Sequence, residues 1–170
     1  MIYKSIIDAF KEKIQRKWNV LYFAIDLHGT IIQKYKGNEI VPYKYVTDVL
    51  IQLSNSPEIT LILFTSTYPE NLKTFYDWCK EWDINFKYLN ENPDCPNNST
   101  GDFTKKFYYN VLIDDRAGFD PEEWIDVLQA VRIGSKMQNC KMTADCTNSL
   151  TKNCNAQICS ICDQFSFYTT

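Results

Sequence analysis

Strand-like and helix-like segments alternate along this 170-residue chain, and three apolar runs stop abruptly at a small polar or acidic group. Together these observations predict a three-layer, Rossmann-like α/β fold with a mainly parallel sheet. Strands joined through helices lie parallel, and such a sheet is covered on both faces. The three run ends are Asp26, Thr65 and the pair Asp114-Asp115. Ligands bind at the carboxyl ends of strands in open α/β sheets, so the same pattern predicts where a site lies.

The elements follow in order. Ile2, Ile6, Phe10, Ile14 and Trp18 recur at near-helical spacing with Lys and Glu between them, which predicts an amphipathic helix over 2–17. The run Val20 to Ile25 ends in Asp26 and predicts a first buried strand over 20–26. Residues 31–42 hold Lys34, Lys36, Gly37, Asn38 and Pro42 and suit a short hairpin or loop. Tyr45, Val49, Leu50 and Leu53 predict a helix over 43–55, ending at Asn55-Ser56-Pro57. A second strand over 59–64 leads to Thr65-Ser66-Thr67. Pro69 opens a helix to about Trp82, since proline suits the first helical position. A short strand over 85–89 and a loop over 90–102 follow, then a strand from Phe107 to Ile113. Pro121-Glu122-Glu123 opens a last helix to about Arg132, with acids at its positive end.

The periodicity breaks at Gly134. This predicts one domain over 1–134 and a polar, cysteine-rich tail over 135–170. Five of the seven cysteines lie in that tail, spaced Cys140-x5-Cys146-x7-Cys154-x4-Cys159-x2-Cys162. Cys159-x-x-Cys162 alone has metal-knuckle spacing, and the tail contains no histidine, so a flexible appendage with reactive thiols is preferred over a zinc-dependent interaction module.

The formal net charge is −3, which argues against broad, non-specific nucleic-acid binding. No segment reaches the roughly 20 apolar residues that cross a bilayer, and residues 1–17 lack the continuous apolar stretch of a signal peptide. A cytoplasmic protein without membrane contact is expected. The N-terminal helix could pack on the sheet or against a second subunit, so an oligomer is compatible with the pattern.

The strand ends supply the parts of a magnesium-dependent phosphoryl-transfer site. A carboxylate can attack in line, a hydroxyl can bind a phosphoryl oxygen, and metal and lysine can neutralise phosphate charge. Lys105-Lys106 lies just before the last strand. At this point the chain resembles the haloacid dehalogenase superfamily of phosphatases. Asp26-Leu27-His28-Gly29-Thr30 matches the family's Asp-x-Asp-Gly-Thr except at its third position. Leu61 to Thr65 matches the second motif, Lys105 or Lys106 would be the third, and Val111 to Asp115 matches the fourth. The match spans 20 to about 132.

The resemblance implies that Asp26 forms an aspartyl-phosphate and that Thr65, with Ser66 beside it, binds the phosphoryl group. It implies that Lys105 or Lys106 steadies charge, with Lys106 favoured because alternate residues of extended chain face opposite ways. Magnesium would be held by Asp26, the backbone carbonyl of His28, Asp114 and Asp115. His28 replaces the usual aspartate, and with an unperturbed pKa of about 6.5 it suits general acid/base work. Arg116 and the Lys34–Lys36 turn are placed to touch substrate.

Each residue also has a purely structural use: Asp26 can end a strand, Thr65 can lead into a helix, and lysines are mostly solvated. Receiver domains use similar residues in the reverse order, with the acidic pair first. The inserts after Thr30 and after Thr65 are too short for a full cap domain. An open site follows, suited to a nucleotide, a sugar phosphate, a nucleic-acid end or a phosphoprotein. The alternative is a protein that binds phosphate or nucleotide on the same fold with little turnover.

Overall fold

The computed structural model describes residues 1–36, 39–99 and 101–137. The readings of the cysteine-rich tail, its thiols and its zinc spacing fall on residues 138–170 and lie outside the described residues. The chain forms a three-layer, Rossmann-like α/β fold, as its alternating pattern predicts. Its elements are α1 (Ile2–Arg16), β1 (Leu21–Asp26), β2 (Ile32–Lys36), β3 (Glu39–Pro42), α2 (Val46–Ser54), β4 (Ile59–Phe64), α3 (Lys73–Glu81), β5 (Tyr88–Leu89), β6 (Val111–Ile113) and α4 (Trp124–Met137). Short 3₁₀ turns at Pro69–Asn71, Asp115–Ala117 and Pro121–Glu123 lead into or follow them.

The main sheet has the order β5-β4-β1-β6, and every pairing in it is parallel. Central β1 pairs with β4 on one side and β6 on the other. Leu21, Tyr22, Phe23, Ala24 and Ile25 are all buried, so side chains on both faces of β1 are covered. This explains why the strand reads as an unbroken apolar run. β2 and β3 form a separate antiparallel hairpin. Among the described residues, this hairpin is all that lies between the turn after β1 and the approach to α2.

α1 packs on α4, and α4 also meets α2. Phe10, Trp124, Val127 and Leu50 are part of one continuous core. Lys13 of α1 is buried and ion-pairs with Glu58 at 2.7 Å, fixing the helix near the start of β4. Cys79 of α3 is a core residue, and burial pushes its thiol up to about 12, so it packs as a small apolar group rather than as a reactive thiol.

Local chemistry moves several boundaries. α2 starts at Val46 rather than 43 because Tyr45 adopts a left-handed backbone with φ 67°. The strand predicted from Phe107 is confined to Val111–Ile113; the aromatic run before it packs instead around Tyr108 and Tyr109. α4 continues past Gly134 to Met137. Gly134 is buried, and a Cβ there would fall on the Phe10 ring. The glycine is therefore a close-packing residue between α1 and α4, and not a helix terminator. No helix among the described residues is long and apolar enough to cross a membrane.

Replacing Gly134 by Ala should overpack this contact. The expected loss is about 1–3 kcal/mol of unfolding free energy, against the small gain that alanine normally brings inside a helix. Urea denaturation reads it, and a stabilised variant would show that Phe10 yields freely.

Candidate active site

The parallel register carries three acids to one edge. Ile25 pairs with Ile113, so the next residues, Asp26 and Asp114, leave the sheet side by side. Carboxylate oxygens of Asp26, Asp114 and Asp115 lie within 4.8 Å of one another. Phe64 pairs with Asp26 on the other side, which brings Thr65 to the same edge.

The turn after β1 holds this edge together. Ile31 N and Ile32 N both donate to Leu27 O, at 3.0 and 2.9 Å, curling the chain back on itself. Gly29 takes φ +84°, and a Cβ built on it would meet Asp115 Oδ2 at 2.5 Å. Glycine is needed here for both conformation and space. Thr30 is fully buried, and its Oγ1 accepts the backbone N–H of Asp115 at 3.0 Å. Its carbonyl accepts Trp124 Nε1 at 2.9 Å. Asp114 caps the next turn, its Oδ1 accepting Arg116 N at 2.8 Å.

Burial raises the pKa of Asp26, and the neighbouring charges of Asp114 and Asp115 add to the rise. The backbone N–H of Leu27 and the charge of His28 oppose it. No Lys or Arg among the described residues forms a salt bridge with the three acids. Three converging oxygen donors with no protein cation match what a hard divalent cation requires. The residues therefore fit a magnesium ion.

His28 is exposed at the rim, with Thr67 on one side and Tyr35 on another. Thr67 Oγ1 lies 3.4 Å from His28 Nδ1, which leaves Nε2 open. The Tyr35 ring stands 5.9 Å from the imidazole, centroid to centroid. Thr65 is buried, and its hydroxyl donates to Thr67 Oγ1 at 3.1 Å while accepting Thr67 N at 3.2 Å. Its backbone is clamped by Asn90, whose Oδ1 accepts Thr65 N at 2.8 Å and whose Nδ2 donates to Thr65 O at 2.6 Å.

The remaining predicted residues spread outward. Ser66 and Arg116 are exposed. Lys105 and Lys106 are also exposed, and Lys106 Nζ sits 5.9 Å from the centre of the Tyr109 ring rather than beside Asp26. The alternation that favoured Lys106 presumed extended strand from Phe107, but regular pairing begins only at Val111. Thr67, Asn90, Tyr35 and Trp124 escaped sequence reading because they act through partners distant in sequence. The one local signal was Asn90, an asparagine after a short strand, which takes φ 53°. A cleft of about 750 Å³ opens beside Gly29 and Asp115, bounded by Gln33, Tyr43, Lys44, Tyr45 and the Asp120–Glu122 turn.

Among solved structures, the chain is similar to a conserved protein from Bacteroides thetaiotaomicron, with a TM-score of 0.51 and 26% sequence identity over 67% of this chain and 91% of that one. No family model and no curated protein matches the sequence. The likeness supports the α/β architecture and leaves the chemistry to the residues at the edge.

The raised pKa of Asp26 has a consequence for stability. The folded state binds the Asp26 proton more tightly than the unfolded chain does. The associated stability is complete at low pH and is lost as pH rises through the folded pKa. In chelator near neutral pH, Asp26→Asn should therefore melt at a higher temperature than the parent. The advantage should shrink as the pH falls into the carboxylate range. Thermal melts across pH check it, and a lower melting temperature at every pH would refute it.

Proposed function

We propose that the chain is a magnesium-dependent phosphate monoester hydrolase of the haloacid dehalogenase type, acting through an aspartyl-phosphate on Asp26. The observation that carries the reading is the convergence of Asp26, Asp114 and Asp115 at the carboxyl edge of a parallel sheet. The single acid comes first in the chain and the pair comes last, which is the phosphatase order and not the receiver order.

Asp26, Asp114, Asp115 and the His28 carbonyl would hold the magnesium, which when bound offsets the negative charge of acids and phosphate. The Asp26 carboxylate attacks phosphorus in line, and the bond from phosphorus to the ester oxygen breaks. That oxygen takes a proton from Nε2 of a protonated His28. Nδ1–H meanwhile points to Thr67 Oγ1, so the ring is held for transfer at Nε2. A water then attacks the phosphorus of the aspartyl-phosphate and gives its proton to Nε2. Inorganic phosphate leaves, and the Asp26 carboxylate is restored. The aspartyl-phosphate carries more negative charge than the Asp26 carboxylate it replaces, so the bound cation would have to offset that charge beside Asp114 and Asp115.

A second reading, phosphate or nucleotide binding with little turnover, draws on His28, which stands where the resemblance has an aspartate. Phosphate release from p-nitrophenyl phosphate with and without magnesium separates the two. Release that needs magnesium and falls at least about 10³-fold in Asp26→Asn supports the hydrolase. No release from a broad panel of esters with magnesium present would sink it.

His28→Ala should lower kcat by about 10²- to 10⁴-fold on a poorly activated alkyl ester, with the pH dependence of kcat flattened on its alkaline side, because transfer to the leaving oxygen needs a protonated His28. His28→Asp should recover part of the rate. Full turnover by His28→Ala on that ester would remove His28 from the mechanism.

A further inference from the structure

We infer that the substrate is a nucleotidyl phosphate monoester, a mononucleotide or the phosphorylated end of an oligonucleotide, whose base stacks on Tyr35; this rests on the phosphatase reading above. In that reading the leaving oxygen lies within hydrogen-bond reach of His28. Whatever is attached to that oxygen therefore lies beside His28, and what stands beside His28 is the Tyr35 ring.

Tyr35 is not a core residue. It is 40% exposed on β2, where Ile32 is buried and residues 33–36 are all exposed. The hairpin is anchored at its base, through buried Ile31 and Ile32 and the bond from Tyr43 N to Ile31 O at 3.0 Å. Nothing in that anchoring requires an aromatic ring at Tyr35. Its strand neighbours Lys34 and Lys36 are exposed, without a salt bridge among the described residues, and by strand alternation face the opposite side of the ribbon.

An exposed aromatic face on an extended ribbon is a stacking platform of the kind that binds nucleotides, the ring stacking a base. A sugar phosphate or glycerol phosphate would leave the ring unused. Tyr68, 71% exposed, follows Thr67 directly and adds a second aromatic next to a residue that touches His28. The net charge of −3 argues against a broad basic surface and favours an end or a mononucleotide over a long duplex.

The test compares kcat/KM for a nucleoside monophosphate, a short oligonucleotide bearing a terminal phosphate, glycerol phosphate and a phosphotyrosine peptide. The parent chain, Tyr35→Phe and Tyr35→Ala are each assayed. The parent is expected to prefer one or both nucleotidyl esters over glycerol phosphate. Tyr35→Ala should cut that preference about tenfold, as loss of one stacked base does, and Tyr35→Phe should keep it. A preference for the oligonucleotide that collapses in added salt would identify the nucleic-acid end as the source, and a salt-insensitive preference would identify the free mononucleotide. Equal rates on nucleotidyl and glycerol esters, a preference for the phosphopeptide, or a preference untouched by Tyr35→Ala would overturn the inference.

If no ester is turned over, the phosphatase reading has failed, and calorimetric binding of a nucleoside monophosphate still decides the inference. Binding weakened about tenfold by Tyr35→Ala upholds it, while absent binding or binding indifferent to Tyr35 overturns it.

Discussion

The buried hydroxyl of Thr30 accepts the backbone N–H of Asp115, and its carbonyl accepts the indole N–H of Trp124; these two bonds join the turn after β1 to the turn after β6 and to α4. A central parallel strand and its neighbour present their ends together, but nothing in sheet pairing sets how their loops meet. Thr30 does this from inside the core, where an unpaired N–H or C=O would cost about 1–3 kcal/mol. Gly29 completes the arrangement, since a Cβ on it would meet the Asp115 carboxylate. The spacing of the acids depends on this one buried junction.

That junction holds an unfavourable cluster in place. Three carboxylates within 4.8 Å repel, and burial raises the energy of the charge on Asp26. The fold tolerates this because the apolar core beneath is continuous from α1 through β1 to α4, and the strain is confined to one rim. The crowding that weakens this edge is also what fits it to a cation. Acids held this close could hold a divalent ion, and their proximity favours a protonated Asp26 over the charged form.

His28 shows how an exposed residue is positioned without burial. The imidazole has Thr67 at one nitrogen and Tyr35 across its ring, and Thr67 is tied to Thr65, which Asn90 clamps by its backbone. The chain of contacts runs from β5 through the end of β4 to the β1 turn and across to the hairpin. It links the residue that stands where the family pattern has an aspartate to elements from three separate parts of the chain. The hairpin bearing Tyr35 stands beside His28.

Much of this was legible in the residues. The apolar runs of β1 and β4 are covered on both faces, so their hydrophobic patterning marks them whatever the surroundings, and the acids that end β1 and β6 stand out because a carboxylate interrupts the run. Asp26, Asp114 and Asp115 could be named for that reason, and the helices for their 3.6-residue spacing. Local sequence determined where β1 and β4 run and which residue ends β1, β4 and β6. Tertiary structure decided the rest. Tyr45 shortened α2 by adopting a left-handed backbone, Gly134 became a packing contact against Phe10, and the aromatic run at 107–109 turned aside and left Lys106 over Tyr109 instead of beside Asp26. Those outcomes depend on groups distant in the chain that meet only once the core has formed, and side-chain periodicity carries no information about them. The identities of the acids were local facts; their 4.8 Å convergence is a property of parallel register and of Thr30, and only the folded chain supplies both.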